Sequence, residues 1–321
     1  MIVFGPVPSR RLGRSLGVNN IPAKVCSYSC IYCQLGRTIK ISVKREAFYD
    51  PELIFKDVMK RIKEVEDKDE KIDYLSFVPD GEPTLDVNLG REIELLKTLK
   101  QPIAVLTNAS LLWRRDVREE LLKADLVSVK IDALSERLWR MINRPHKSLK
   151  INEILDGIKK FSEEFGGKLI TETMLIDGIN YSVELRRIAN FLSEISLHKA
   201  FISIPTRPPA ESWVKPANEK VISKAFHLFS QRMGLDAVEY LIGYEGDSFA
   251  FTGNIEEDLL SITSVHPMRE EAVRRLLKKA DARWDVIDKL LEKGKLVEME
   301  YEGYKYYMRK IPSRAKVQKT R

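Results

Sequence analysis

The chain has 321 residues, of which 44% are hydrophobic and 31% charged, and its formal net charge is +7. This length allows one large domain and a small one. No segment approaches the ~18 apolar residues of a membrane span, and the N-terminus lacks the apolar run of a signal peptide, so we expect a cytoplasmic protein. Residues 266–321 hold 16 Lys or Arg against 9 Asp or Glu, which leaves 38 of each in residues 1–265.

Six short apolar runs predict the strands of one parallel sheet. Between them, apolar residues recur three and four apart, as in helices packed on a sheet. Right-handed crossovers would wind such units into an α/β fold over residues 1–235, either a partial (β/α)6 barrel of the TIM type or a strongly curved open sheet. In both cases the chemistry lies at the C-terminal ends of the strands. The predicted strands are Ser15–Asn19, Ile72–Val78, Pro102–Thr107, Leu126–Asp132, Lys168–Ile176 and Ala200–Thr206.

Residues 266–321 predict a small C-terminal domain, with residues 236–265 as a bridging segment. A helix starting at Pro267, a helix ending at Gly294 and a hairpin turning at Glu302-Gly303 follow one another. This order resembles a winged helix-turn-helix, and a basic tail follows it. Four tyrosines lie along the hairpin, at positions 301, 304, 306 and 307.

All three cysteines, Cys26, Cys30 and Cys33, lie within eight residues, directly after the first predicted strand. This clustering indicates a reducing compartment and a metal site rather than a disulfide framework. A closed structural zinc site takes four ligands, and no histidine lies near the loop, so zinc would need a remote fourth ligand. An iron–sulfur cubane held by three cysteines leaves one iron open to a substrate or cofactor.

The C-x3-C-x2-C spacing, with Tyr32 just before the last cysteine, resembles the signature of the radical S-adenosylmethionine (radical SAM) superfamily. The resemblance implies that the three cysteines bind a [4Fe-4S] cluster and that S-adenosyl-L-methionine (SAM) binds the open iron through its amino and carboxylate groups. It also implies a one-electron reductant of the flavodoxin or ferredoxin type. Cleavage of SAM would then give methionine and a 5′-deoxyadenosyl radical, which abstracts hydrogen from a substrate.

Two motifs at the ends of predicted strands are similar to SAM-contacting motifs of the same superfamily. Asp80, Gly81 and Glu82 resemble a Gly-Gly-Glu motif that contacts the SAM amine, with Asp80 in place of the first glycine. The alternative for this motif is a turn with solvated acids. Thr107 and Asn108 end the third strand, where related activating enzymes have a Thr-Asn pair near the SAM.

The fourth predicted strand places Ser128, Lys130 and Asp132 on one face, because side chains alternate along a strand. A lysine and an acid in an apolar strand are costly unless they are paired or bind a ligand. Either Ser128 and Lys130 lie near the SAM ribose and carboxylate, or Lys130 and Asp132 form a buried ion pair.

Other polar residues at the same rim are candidates without an assigned step. Arg207 could hold an anionic substrate or the SAM carboxylate, or lie on the surface. The Asn143–His146 loop could cover the site, with no chemical role expected for His146. Strand five offers Thr171, Thr173 and Glu172.

The N-terminal arm carries Arg10, Arg11 and Arg14, which would be either solvated or bound to phosphate. This arm, together with residues 243–270, resembles a branch of Fe–S oxidoreductases related to the wybutosine-synthesis enzymes, which modify tRNA. Those enzymes have additional cysteines for a second cluster. The present chain has three cysteines and can hold one cluster only.

The sequence leaves the substrate open. RNA or tRNA is one candidate, because basic residues could neutralise phosphates and the hairpin tyrosines could stack on bases. A protein or peptide docked by the winged helix, as in glycyl-radical enzyme activation, and a small molecule are the alternatives. A DNA-binding iron–sulfur sensor is disfavoured, since it would not need Glu82, Thr107, Asn108 and Lys130 around a SAM-sized pocket.

Overall fold

The structure, a computed structural model, describes residues 2–243 and 249–310. Its strands are β1 (Val3–Ser9), β2 (Gly13–Val18), β3 (Val25–Cys26), β4 (Lys40–Ile41), β5 (Tyr74–Phe77), β6 (Ile103–Thr107), β7 (Leu126–Lys130), β8 (Lys168–Met174), β9 (Lys199–Ser203), β10 (Val238–Leu241), β11 (Met268–Arg269), β12 (Leu296–Tyr301) and β13 (Tyr304–Arg309). Its helices are α1 (Pro51–Glu66), α2 (Leu89–Lys97), α3 (Arg115–Leu121), α4 (Glu136–Asn143), α5 (Ile151–Glu164), α6 (Glu184–Ser193), α7 (Glu219–Met233), α8 (Ile255–Val265), α9 (Glu270–Lys279) and α10 (Asp285–Glu292).

One eight-stranded sheet, in the order β1-β2-β5-β6-β7-β8-β9-β10, forms the main body of the fold. Neighbours from β2 to β10 are parallel, and β1 pairs antiparallel with β2. The edge strands β1 and β10 do not pair with each other, so the sheet is an open, curled half-barrel. All six predicted strands lie side by side in the predicted order, which confirms the α/β partial barrel.

Two strands of this sheet were not expected. The arginine arm forms the hairpin β1–β2, with Ser9 opposite Gly13. The predicted bridging segment contributes β10, whose Val238 pairs with Ala200 of β9. The sheet therefore continues beyond residue 235, and the domain bounds stay a prediction.

Burial follows from the parallel arrangement, because helices cover the sheet and leave little strand surface to water. Leu75, Phe77, Val105 and Val127 are fully buried in the principal core. No helix in the two described ranges is long and apolar enough to cross a membrane.

The C-terminal region forms a second core with the start of the chain. Phe4 and Val7 of β1 pack in one cluster with apolar residues of α8, α9, α10 and the following strands. A small sheet has the order β11-β13-β12, and its hairpin turns at Glu302 and Gly303, both with positive φ, as predicted. The predicted helix start at Pro267 was wrong by three residues, because Met268 and Arg269 first pair with β13. The winged-helix interpretation stays a prediction, and the basic tail, residues 313–321, lies outside the described residues.

Candidate active site

The cysteine loop lies between β3 and β4, which pair in parallel with Cys26 opposite Ile41. A backbone bond from Cys33 N to Cys30 O (3.1 Å) folds the second and third cysteines into one tight turn. All three cysteines are partly exposed. They line a cavity of about 340 Å³, together with residues from the C-terminal ends of the main strands.

Each cysteine sulfur accepts a hydrogen bond from one side-chain nitrogen. The donors come from three separate parts of the chain: the residue two before Cys26, the loop after β6, and the end of α4. The pairs are Lys24 Nζ to Cys33 Sγ (3.7 Å), Asn108 Nδ2 to Cys26 Sγ (3.5 Å) and Asn143 Nδ2 to Cys30 Sγ (3.5 Å).

The protein removes most water from two of the sulfurs, and this desolvation raises their pKa, that of Cys30 to about 12. Negative charge on Glu82 also raises the pKa of Cys26, and Asp132 that of Cys30. Thiolates here are therefore unfavourable unless a metal centre compensates them.

The donor set fits a cluster better than a single ion. No group of three His, Cys, Asp or Glu side chains in the described ranges is placed to hold one metal ion. Cysteines on a [4Fe-4S] cubane each bind a different iron, so their sulfurs need not converge on one point. Three soft sulfur donors around a cavity fit the implied cluster and leave one iron open.

Glu82 lies at the centre of the rim and is 1% exposed. Its carboxylate accepts bonds from Thr84 N (3.2 Å), Thr84 Oγ1 (2.7 Å), Thr107 Oγ1 (2.5 Å) and Asn108 N (2.8 Å). Burial raises its pKa, and these donors oppose the rise. The predicted SAM motif is thus buried rather than a turn with solvated acids, and the Glu82 carboxylate holds the Thr107-Asn108 pair in place.

Gly81 permits the close approach of the motif to the cysteine loop. A Cβ at this position would lie 1.9 Å from Val25 O, so a side chain would displace the residue next to Cys26. Glu82 N donates to the same carbonyl at 3.1 Å. Asp80 is 6% exposed, and its backbone N–H donates to Asn19 Oδ1 at 3.0 Å.

Lys130 pairs with Glu172 and not with Asp132, so the predicted Lys130–Asp132 ion pair was wrong. Its Nζ lies 2.8 Å from Glu172 Oε1 and 5.1 Å from the centre of the Tyr32 ring. Arg11 also binds the Glu172 carboxylate. Burial disfavours the Glu172 charge, but Arg11 and Lys130 together lower its pKa to about 2.

The three candidate residues of β8, Thr171, Glu172 and Thr173, divide between two faces of the sheet. Glu172 lines the cavity, as do Ser128 and Lys130 of β7. Thr171 and Thr173 are fully buried on the opposite face, where Thr173 donates to Ile131 O (2.9 Å), so they do not line the cavity.

The Asp132 carboxylate is a hydrogen-bond acceptor behind the cysteine loop. It accepts bonds from the Tyr32 hydroxyl, Asn143 Nδ2 (2.6 Å) and Met174 N (2.9 Å). Tyr32 belongs to the loop and Asn143 donates to Cys30 Sγ, so this acid orients both a loop residue and a donor to the loop. A further backbone bond joins Ser29 N to Asn143 O (3.0 Å).

The 143–146 loop and Arg207 complete the surroundings. His146 N donates to Ser27 O (2.8 Å), which lays this loop against the cysteine loop, and the His146 side chain does not line the cavity. Arg207 is 9% exposed and is not a surface residue. It lines the cavity and donates to Gln34 Oε1 (3.1 Å) and His266 Nε2 (2.9 Å).

Two of the three arginines of the N-terminal arm bind carboxylates, and the third, Arg10, is exposed and donates to a backbone carbonyl. Arg10 donates to Gly243 O (2.7 Å), Arg11 binds Glu172, and Arg14 binds Glu70. These contacts join β1–β2 to the rest of the fold, and Arg11 is the one of the three arginines that lines the cavity.

Three of the four hairpin tyrosines pack against other parts of the protein. Tyr306 and Tyr307 are 1% and 2% exposed. Tyr306 and Tyr301 donate to the carbonyls of Thr206 (2.9 Å) and Pro205 (3.3 Å), in the loop after β9. Tyr304 is 42% exposed, and the Arg269 Cζ atom lies 3.7 Å from the centre of the Tyr304 ring.

Sequence reasoning missed Lys24 and the role of Arg11. Lys24 stands two residues before the first cysteine, and that proximity was the available signal. Arg11 gave no comparable signal, because its partner Glu172 is 161 residues away.

This chain resembles known proteins in sequence. The sequence model described as "Radical SAM superfamily" matches residues 20–192, more than half of the chain. UPF0026 protein MJ1312 of Methanocaldococcus jannaschii is 50% identical over 316 residues, 98% of each chain.

Two solved structures share the fold at low sequence identity. Streptococcus suis SuiB bound to S-adenosylmethionine matches 70% of this chain and 49% of its own, with a TM-score of 0.51 and 15% identity. A structure of TYW1 with a lysine-pyruvate adduct matches 68% and 73%, with a TM-score of 0.51 and 17% identity.

Proposed function

Because the chain belongs to the radical SAM superfamily and to the UPF0026 family, we propose that it binds one [4Fe-4S] cluster at Cys26, Cys30 and Cys33. The cluster and SAM supply, when bound, one-electron cleavage of SAM and a 5′-deoxyadenosyl radical that abstracts hydrogen from a substrate. The observation that carries the proposal is the cavity. Three thiols line it opposite the polar ends of parallel strands.

The residues around the cavity have distinct parts in this proposal. Ser128 and Lys130 line the wall where we place the SAM ribose and carboxylate, and Tyr32 packs beside Lys130. We place the SAM amine against the wall at Gly81, which lines the cavity, whereas the buried Asp80 stands behind it and does not line the cavity. Glu82 positions this wall through Thr107 and Asn108, since four protein donors already fill its carboxylate.

The test is SAM cleavage by the reconstituted protein. The cluster is assembled anaerobically, dithionite and SAM are added, and 5′-deoxyadenosine is measured. We expect cleavage by the natural chain and none by Cys30→Ala. A fully loaded cluster that cleaves no SAM would contradict the enzyme assignment.

For the substrate, we propose a molecule that presents one small group to the radical, such as an RNA base, a protein side chain or a small metabolite. The cavity volume of about 340 Å³ is close to the lower limit of the volumes of small-molecule binding sites in proteins, about 300–1,000 Å³. RNA is supported by the +7 charge of residues 266–321 and a winged-helix interpretation of that region. The hairpin tyrosines give it less support, because three of them pack inside the protein.

RNA binding can be tested without deleting the C-terminal region, which shares a core with β1. Lys278 and Lys293 are exposed and lie outside that core. We expect Lys278→Glu with Lys293→Glu to weaken RNA binding in a mobility-shift assay and to reduce its salt dependence. Unchanged binding would favour a protein or small-molecule substrate.

A further inference from the structure

Lys24 is a buried cation beside the cysteine loop. It is 2% exposed, and its Nζ donates to Gly36 O (2.6 Å) and to Cys33 Sγ (3.7 Å). Its side chain therefore spans the two ends of the loop that contains all the cysteines.

Lys24 differs from Lys130 and Arg11 in having no acidic partner among the residues that the structure describes. Lys130 and Arg11 share Glu172, whereas no carboxylate in the two described ranges pairs with Lys24. Removing an ammonium group from water costs several kcal/mol unless an anion compensates it. The arrangement points to an anion at the thiols.

The cluster implied here is such an anion. Three thiolates give a [4Fe-4S] centre net negative charge, and that charge increases by one when an electron enters. A nearby cation and N–H donors to the sulfurs stabilise the reduced form more than the oxidised form and so raise the reduction potential.

We infer that Lys24 sets the reduction potential of the cluster by placing a buried ammonium against Cys33. Asn108 and Asn143 donate neutral N–H groups to Cys26 and Cys30. Of the three donors Lys24 alone brings a charge, so it contributes the largest effect. The inference rests on the proposed cluster but not on the identity of the substrate.

A purely structural role for Lys24 would be closure of the loop through Gly36. The two roles separate by chemistry. Lys24→Gln keeps an N–H donor in the loop but removes the charge, and Lys24→Arg keeps the charge. Lys40→Met is the matched control, because Lys40 is on the adjoining strand β4 with its side chain 53% exposed to screening water.

The experiment measures the midpoint potential of the reconstituted cluster by redox titration, read by the electron paramagnetic resonance signal of the reduced form. Iron content is measured beside it. At fixed solution potential, we expect the ratio of reduced to oxidised cluster in Lys24→Gln to fall at least tenfold, equivalent to about 59 mV for a one-electron couple. Lys24→Arg and Lys40→Met should stay close to the natural chain.

The results distinguish an effect of Lys24 on the reduction potential from a purely structural role. An unchanged potential in a fully loaded Lys24→Gln overturns the inference, as does loss of cluster in both Lys24→Gln and Lys24→Arg, which assigns Lys24 to loop closure. Loss of cluster in Lys24→Gln alone also overturns it, because that result assigns the ammonium to holding the cluster rather than to setting its potential.

Cluster content and SAM cleavage by the natural chain test the proposed function separately from the inference about Lys24. If the natural chain holds no cluster, both statements fall. If it holds a cluster whose potential responds to Lys24 but cleaves no SAM, the inference stands and the proposed function fails. If it cleaves SAM and Lys24→Gln leaves the potential unchanged, only the inference fails.

Discussion

Replacement of Glu172 by Gln tests the electrostatics of the cavity wall. Glu172 is shared by Lys130 and Arg11, and these cations lower its pKa from 4.5 to about 2. The difference corresponds to about 3 kcal/mol of free energy of unfolding at neutral pH. A neutral Gln does not make this contribution, and it leaves two partly buried cations without the carboxylate they share. We therefore expect Glu172→Gln to lower the free energy of unfolding by at least about 3 kcal/mol.

The pH dependence gives the sign of the effect. A carboxylate with a lowered folded pKa contributes its stability fully above its ordinary pKa and loses it as the pH falls toward the folded value. The gap in free energy of unfolding between the natural chain and Glu172→Gln should therefore be constant near neutral pH and should narrow below about pH 4.5.

The assay is urea unfolding followed by circular dichroism, with both proteins in the same cluster state. The matched control is Glu239→Gln, because Glu239 forms a single pair with Lys199 on adjacent strands and its side chain is 45% exposed. A surface pair of this kind contributes at most about 1 kcal/mol. A loss at Glu172 no larger than at Glu239, or a gap that does not narrow in acid, would refute the reasoning.

Three further changes have defined outcomes. Burial raises the pKa of Glu92, so the natural chain loses up to about 1.4 kcal/mol of free energy of unfolding for each pH unit above the ordinary pKa of a glutamate. Glu92→Gln lacks this loss, so its stability relative to the natural chain should increase as the pH rises. Parallel curves of stability against pH for the two proteins would contradict this. Gly81→Ala places a methyl 1.9 Å from Val25 O and should reduce iron incorporation, whereas Gly166→Ala, with open space around it, should not; equal iron contents would argue against the tight contact. Tyr306→Phe leaves two polar groups without their partner and should lower the free energy of unfolding by about 1–2 kcal/mol in a denaturant titration, a result that an unchanged midpoint would exclude.

Part of the site follows from local sequence and part from strand register. The two-residue period of β7 correctly put Ser128 and Lys130 on one face, because alternation is a property of a single strand. As the alternative to a SAM contact, the sequence offered an ion pair of Lys130 with Asp132, two residues along the same predicted strand. In the sheet, Lys130 lies directly beside Glu172 of β8, and that pairing depends on register between strands 42 residues apart.

The hairpin tyrosines show the same limit. Their spacing is typical both of a stacking surface for bases and of a packed core face. Tyr306 is buried because β13 contacts the loop after β9, about 100 residues earlier in the chain. Nothing within the hairpin encodes that contact.

By itself, the sequence determined the six parallel strands, the helices between them and the three-thiol loop. Hydrophobic period and cysteine spacing act over a few residues and need no knowledge of distant partners. Only the tertiary structure decided which groups meet at the thiols: the Lys24 ammonium, the amides of Asn108 and Asn143, and the Glu82 carboxylate behind them. These contacts depend on how the sheet curls and where its loops converge, which is fixed by packing across the whole chain.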